Sequence, residues 1–147
     1  MEQKSKKGRV TGLGGFFITS ENPDKLKKWF EKNLGLPCDQ YGHLFKWRLP
    51  DDPEKIGHTQ FSVFEKGSAY LKPGTKDYMI NFRVNDVKAI IEDFKRKGLQ
   101  VAGEIEEYEY GKFGWVIDPE GNKIELWEPV DEIFTNDEAG NNDSTDQ

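Results

Sequence analysis

Glu125 is the carboxylate whose surroundings most suggest chemistry. In the run KIELW, Lys123 to Trp127, strand alternation sets Ile124 and Leu126 on one face and Lys123, Glu125 and Trp127 on the other. If that second face borders a cavity, burial among rings disfavours the ionised form, which is how a general base is tuned upward. The same alternation in YMINFRV, Tyr78 to Val84, leaves Met79, Asn81 and Arg83 opposite Ile80, Phe82 and Val84. Two readings of this set stay open. Either Asn81 and Arg83 hold a carboxylate or carbonyl of a ligand, guanidinium matching carboxylate in bidentate fashion, or Arg83 is a buried cation paired with Glu125.

Rings accompany these polar groups. Phe17 and Thr19 alternate with Phe16 and Ile18 on an early strand, and Trp47, Trp115 and Trp127 fall on later ones. They are candidates to line a site for a planar ligand, or they are ordinary core. The two histidines differ in setting: His43 follows Tyr41 and Gly42 in a hairpin-like turn and reads as solvated, whereas His58 opens a strand and is a candidate ligand or acid–base group. The acidic run EIEEYEYGKF, Glu104 to Phe113, reads as an exposed strand and loop. Cys38 is the only cysteine, which excludes an intrachain disulfide and a cysteine-based zinc site. The sequence contains no Ser-His-Asp pattern, phosphate loop or HExxH motif.

The elements that must position these residues come in a repeated order. Gly12 to Ser20 is a strand; Asn22 and Pro23 supply an N-cap and first helical residue; Leu26, Trp29 and Phe30 follow at helical spacing, and Gly35 ends the helix. Strand-like runs follow at Leu44 to Leu49 and Thr59 to Phe64. Then Tyr78 to Val84 is a strand, Asn85 or Asp86 a cap, and Val87, Ile90, Ile91 and Phe94 the stripe of a helix closed by Gly98. Strands are expected around Gln100 to Glu106, Lys112 to Ile117 and Lys123 to Trp127, the last two joined by the turn DPEGN. An offset of 64 residues lays Phe16 on Ile80, Asn22 on Asp86 and Phe30 on Phe94. The organisation expected is a flexible arm over 1–9, one domain over 10–130 with modules at about 10–72 and 77–130, and an acidic, mobile tail over 131–147.

A length of 147 residues suits one core. The net charge of -6 repels phosphate backbones and anionic membranes, so no nucleic-acid or membrane partner is expected. No apolar run approaches a membrane span and the start lacks a signal-peptide core, so a cytoplasmic location is the expectation.

Three segments in order, WFEKNLGLP (Trp29 to Pro37), INFRVNDVKAII (Ile80 to Ile91) and DPEGNKIELWEP (Asp118 to Pro129), together with the internal repeat, resemble the vicinal oxygen chelate superfamily of glyoxalase I, bleomycin-resistance proteins and extradiol dioxygenases. The resemblance covers about Val10 to Pro129. It implies an α+β fold of two βαβββ modules, their mixed sheets curled around a cavity with the helices outside, and a homodimer. It implies a small-molecule partner, handled either by a glyoxalase-like lyase or isomerase with Glu125 as base, or by a metal-free binding protein of the bleomycin-resistance type. Enzymes of the family hold a divalent metal, and here the ligand set it implies is incomplete. The first-strand positions fall at Gly15 and, by the offset, Met79; the last strand of the first half falls near His58, Thr59 and Gln60; Glu125 alone matches cleanly, with His58 the other metal candidate. One carboxylate with at most one more ligand is too few for a tightly held ion.

Overall fold

The computed structural model describes residues 8–135. The arm over 1–7 and the tail over 136–147 lie outside the described residues. Two helices and seven strands alternate as β1 (Val10–Ser20), α1 (Pro23–Leu34), β2 (His43–Arg48), β3 (Ile56–Glu65), β4 (Tyr78–Val84), α2 (Val87–Lys97), β5 (Glu106–Tyr108), β6 (Gly111–Ile117) and β7 (Lys123–Pro129), with a 3-10 turn at Ala69–Leu71.

Both helices begin and end where their local chemistry dictates. The Asn22 side chain accepts from the Lys25 N–H and the Asp86 side chain from that of Ala89, each satisfying one orphan donor of the first turn. Gly35 and Gly98 close the helices in the left-handed region, at φ 67° and 75°.

The strands form one mixed sheet in the order β2-β3-β1-β4-β7-β6-β5. β1 and β4, the first strands of the two modules, meet antiparallel at its centre, and each pairs in parallel on its other side with the last strand of its own module, β3 or β7. The α+β architecture of two fused modules is therefore the one expected. The strand segment directly after each helix is short. Between α1 and β2 the Asp39 side chain accepts from the Tyr41 N–H and leaves only the bridge Asp39–Gly42. Val101 likewise makes a lone bridge to Val116, and β5 starts only at Glu106.

The two modules bury their outer faces unequally. On the second, Val87 and Ile91 of α2 pack against Val84, Val116 and Leu126, with Phe82, Ile90, Phe94 and Ile124 around them. On the first, no residue of α1 is fully buried. Phe30 meets Phe61 edge-on at 5.3 Å, but Trp29 is 51% exposed. Adjacent helical residues stand about 100° apart, so the two rings cannot both face the sheet. On the inner face Phe17, Leu71, Met79 and Trp115 form a second cluster; Met79 is wholly buried there and is core, as a thioether on that face should be. The chain end adds a piece the pattern did not foresee: residues 131–135 form a helical turn instead of continuing as tail.

This inequality predicts that Ile91→Ala destabilises by about 2–5 kcal/mol, whereas Trp29→Ala costs about 1 kcal/mol or less. Urea midpoints of the two variants measure the contrast, and equal losses would mean that α1 carries as much burial as α2.

Candidate functional site

Register across the inner face brings one residue from each of five strands into a row. Gln60 of β3 stands beside Gly15 of β1, Gly15 beside Asn81 of β4, Asn81 beside Glu125 of β7, and Glu125 beside Trp115 of β6. The row borders a cavity of about 700 Å³, a size that suits a drug-sized molecule. Gln60, Asn81 and Glu125 line it with Phe17, Phe113 and Trp127, and Phe134 of the terminal turn joins them. A register shift in β1 around Gly14 lets the chain pass close under the site. A Cβ there would lie 2.0 Å from Asn81 Oδ1, so glycine is what allows Asn81 its position.

Glu125 is 3% exposed and meets neutral donors from three elements. Asn81 Nδ2 donates to Oε1 at 2.6 Å, Trp115 Nε1 donates to Oε2 at 2.9 Å, and the Tyr70 hydroxyl, presented by the 3-10 turn, donates to Oε2 as well. Burial pushes the carboxyl above its usual range, and these hydrogen bonds, with the charge of Lys123, pull it back only partly. Tyr70 is held high by burial and by the carboxylate it faces. Its ring stacks on Phe64 at 5.4 Å, and its carbonyl accepts from Lys123 Nζ at 2.6 Å. Lys123 lies against the Tyr70 and Trp115 rings at 5.2 and 5.7 Å and is itself shifted downward by burial.

Arg83 is not the partner of Glu125, so of the two open readings the one that paired these residues is corrected. It lies between the Trp47 and Trp127 rings, 5.0 and 5.5 Å from their centroids. Its guanidinium grips both oxygens of Asp131, one arm at 3.0 Å, and donates to the His58 carbonyl. His58 Nδ1 donates to Asp131 at 2.9 Å, and the ring packs on Phe134. The terminal turn thus closes a buried cluster. Burial would raise the Asp131 carboxyl, but hydrogen bonds from His58 and Arg83 and the guanidinium charge bring it below its ordinary value.

The sequence candidates therefore divide. Phe17, Asn81, Glu125 and Trp127 line the cavity, and Trp115 supports it by bonding Glu125. Arg83, Trp47 and His58 belong to the cluster around Asp131, where Trp47 Nε1 also donates to Thr59. Thr19 lies outside the lining and ties β1 to the Asp77 carbonyl at 2.9 Å. Tyr70 went unread, although Ser68, whose side chain caps the 3-10 turn through the Tyr70 N–H, was a visible sign of local structure. Asp131 was missed because it looked like one more acid of a polar tail.

The donor set does not fit a divalent ion. Gly15 supplies no side chain, Gln60 and Asn81 offer amides, and His58 is committed elsewhere. Three protein donors already aim at Glu125 where a cation would have to sit. Among the described residues no group of three or more His, Cys, Asp or Glu side chains stands close enough to hold a metal.

An open mixed sheet of two fused modules, helices on one face and a carboxylate-floored cavity on the other, defines a class of α+β proteins. The chain belongs to the Glyoxalase/Bleomycin resistance protein/Dioxygenase superfamily, whose profile matches residues 12–126. Similar solved structures include a methylmalonyl-CoA epimerase from Mycobacterium tuberculosis, 18% identical over 86% of this chain and 93% of that one, with a TM-score of 0.54. A Streptomyces coelicolor methylmalonyl-CoA epimerase variant in complex with 2-nitronate-propionyl-CoA is 15% identical over 83% and 99%, with a TM-score of 0.61. A superfamily member from Vibrio splendidus 12B01 is 11% identical over 82% and 98%, with a TM-score of 0.51. These likenesses concern the fold. No curated protein matches the chain.

Removing the carboxylate of Asp131 strands a buried guanidinium, so Asp131→Ala should destabilise by about 3 kcal/mol. Because the folded carboxyl titrates below its unfolded value, its stabilisation is present above about pH 4 and is lost as pH falls through the folded value. The gap in urea midpoint between the parent and Asp131→Asn should narrow below about pH 4. A gap constant with pH would show that the ion pair is not its source.

Proposed function

We propose that this chain is a metal-independent small-molecule binding protein of its superfamily, with the ligand seated in the inner-face cavity and Glu125 as the polar anchor of its floor. The observation that carries this reading is that Tyr70, Asn81 and Trp115 occupy three of the about four lone-pair directions of Glu125, which leaves one for a ligand donor, while among the described residues no set of three or more His, Cys, Asp or Glu side chains stands ready for a metal. Rings of Phe17, Phe64, Phe113 and Trp127 supply apolar contact and stacking around it. Lys123 and the Phe64 stack hold the 3-10 turn, and with it the Tyr70 hydroxyl, in place.

One observation favours a second reading. The upward shift of the Glu125 carboxyl by burial is in the direction that makes a carboxylate a better proton acceptor, which suits a lyase or isomerase acting on a small oxygenated substrate. Tyr70 would then deliver or receive the proton at Oε2. The anionic acyl-CoA of the epimerase neighbours suits this lining poorly, because its charged members, Asp39 and Glu125, are both acids. A homodimer is part of the proposal, with light scattering as its check.

Glu125→Gln separates the readings. Asn81 can turn its amide over to receive the new N–H, so the fold should survive. Binding of a planar aromatic probe such as 2-naphthylmethylamine, followed by tryptophan fluorescence, should weaken at least about tenfold, or 1.4 kcal/mol. A chelator should leave binding and melting temperature unchanged. Stoichiometric divalent metal in protein purified without chelator overturns the metal-independent reading, and catalytic turnover abolished by Glu125→Gln transfers the site to the enzyme reading.

A further inference from the structure

One segment that borders the cavity is attached differently from the rest. β7 is held by ladders to β4 on one side and to β6 on the other. At its end the Val130 N–H still donates to the Tyr110 carbonyl, but among the described residues no backbone bond from 131–135 reaches the sheet. Side chains alone fasten this helical turn. The Asp131 carboxylate receives the Arg83 guanidinium and His58 Nδ1. The Phe134 ring rests on those of His58, Tyr110 and Trp127, with centroids 5.0, 6.3 and 6.1 Å away. All of these contacts can be undone without shifting the register of any strand.

What the turn covers favours its release. His58 is wholly buried, and while Nδ1 is bonded to Asp131, Nε2 has no hydrogen-bond partner. A buried imidazole nitrogen in this state favours any arrangement that lets water reach it. When the turn leaves together with its carboxylate, water enters at both Arg83 and Asp131, so neither charge is left buried alone. Arg83 keeps the His58 carbonyl and its place between Trp47 and Trp127. The apolar hold is small, because Ile133 and Phe134 are only partly buried. A segment with so few buried contacts opens at a lower free energy than the sheet beneath it. Phe134 is also part of the cavity wall, so its departure from Tyr110 and Trp127 opens the cavity at that end.

We infer that residues 131–135 are a latched strap: Asp131 is the latch, seated on Arg83 and His58, Phe134 is the cover, and the strap lifts from an otherwise folded body to gate one end of the cavity. The gating rests on the cavity being the binding site; the lifting does not.

The experiment measures access to His58 in the full chain with no ligand. Diethyl pyrocarbonate acylates an imidazole nitrogen only where it can reach the ring. Peptide mass spectrometry separates His58 from His43, which is partly exposed and packs on Phe45 at the start of β2. At neutral pH the labelling of His58 should be flat in urea well below the unfolding transition, because strap opening exposes little surface, whereas labelling through global unfolding rises steeply with urea. Asp131→Asn should speed His58 labelling at least about tenfold and Phe134→Ala at least about threefold, with His43 unchanged. The urea dependence of the parent protein decides the matter whether or not either variant folds. Labelling of His58 that climbs with urea from the lowest concentrations, in step with global unfolding, overturns the strap, and so does a rate that neither substitution alters. Gating is read separately by stopped-flow fluorescence with 2-naphthylmethanol, whose association and release should both quicken at least about threefold in Asp131→Asn. Unchanged probe kinetics beside faster His58 labelling overturn the gating and leave the lifting in place. Absence of probe binding removes the cavity reading, and the gating with it, while the labelling result stands by itself.

Discussion

A carboxylate taken out of water must be given donors, and the inner face of this protein is organised around that requirement at Glu125. The donors come from separate parts of the chain: Asn81 from the strand beside it in parallel, Trp115 from the strand beside it in antiparallel, and Tyr70 from the turn that follows the first module. A one-residue slip of β4 against β7 would turn Asn81 to the helix side and leave the carboxylate short of a partner. The register of the central sheet and the electrostatics of the cavity are in this sense one constraint. The same logic operates a few residues away, where Arg83 needs Asp131 and obtains it from the end of the described chain.

Much of the scaffold could be read from short-range signals. Asn22, Pro23 and Gly35, and Asp86 and Gly98, act within a turn or two of themselves, and the alternation in Tyr78–Val84 assigns each side chain to its face whatever the rest of the molecule does. That is why Asn81, Glu125, Phe17 and Trp127 were found. Pairing across the sheet is a different kind of information. The internal offset relates Gly15 to Met79 as equivalent positions of the repeat and carries no pairing partner; pairing sets Gly15 opposite Asn81 and Phe17 opposite Met79, and no local pattern announces the register shift between Leu13 and Gly15. For the same reason Arg83 and Glu125 could share a face without touching: they stand on adjacent strands two positions apart in register, and Arg83 extends toward the terminal turn. Tyr70 and Asp131 sit in segments with almost no periodicity, where only tertiary contact assigns a role.

The two modules, alike in plan, are unlike in burial. α2 seals its half with Val87 and Ile91, whereas α1 lies more lightly on β1 and β3 and leaves Leu13, Phe16 and Tyr78 partly open on the central strands. The better-sealed half carries Glu125, Asn81 and Trp115, so the polar floor stands on the more fully buried side. The first module contributes the rings and amides of the opposite wall, among them Phe17, Phe64 and Gln60, from a half with fewer fully buried contacts.

The helical turn over 131–135 also bears on the order in which the molecule can be completed. Asp131 follows Arg83 by 48 residues and His58 by 73, so during synthesis both basic groups leave the ribosome well before the acid that balances them. Until then Trp47 and Trp127 cannot enclose the guanidinium without stranding its charge, and the first module lacks the piece that covers His58. The nascent first half is therefore held short of its final packing by a residue from beyond the last strand. This makes completion of one half conditional on the emergence of the other, and it ties two modules of common plan into a single folding unit.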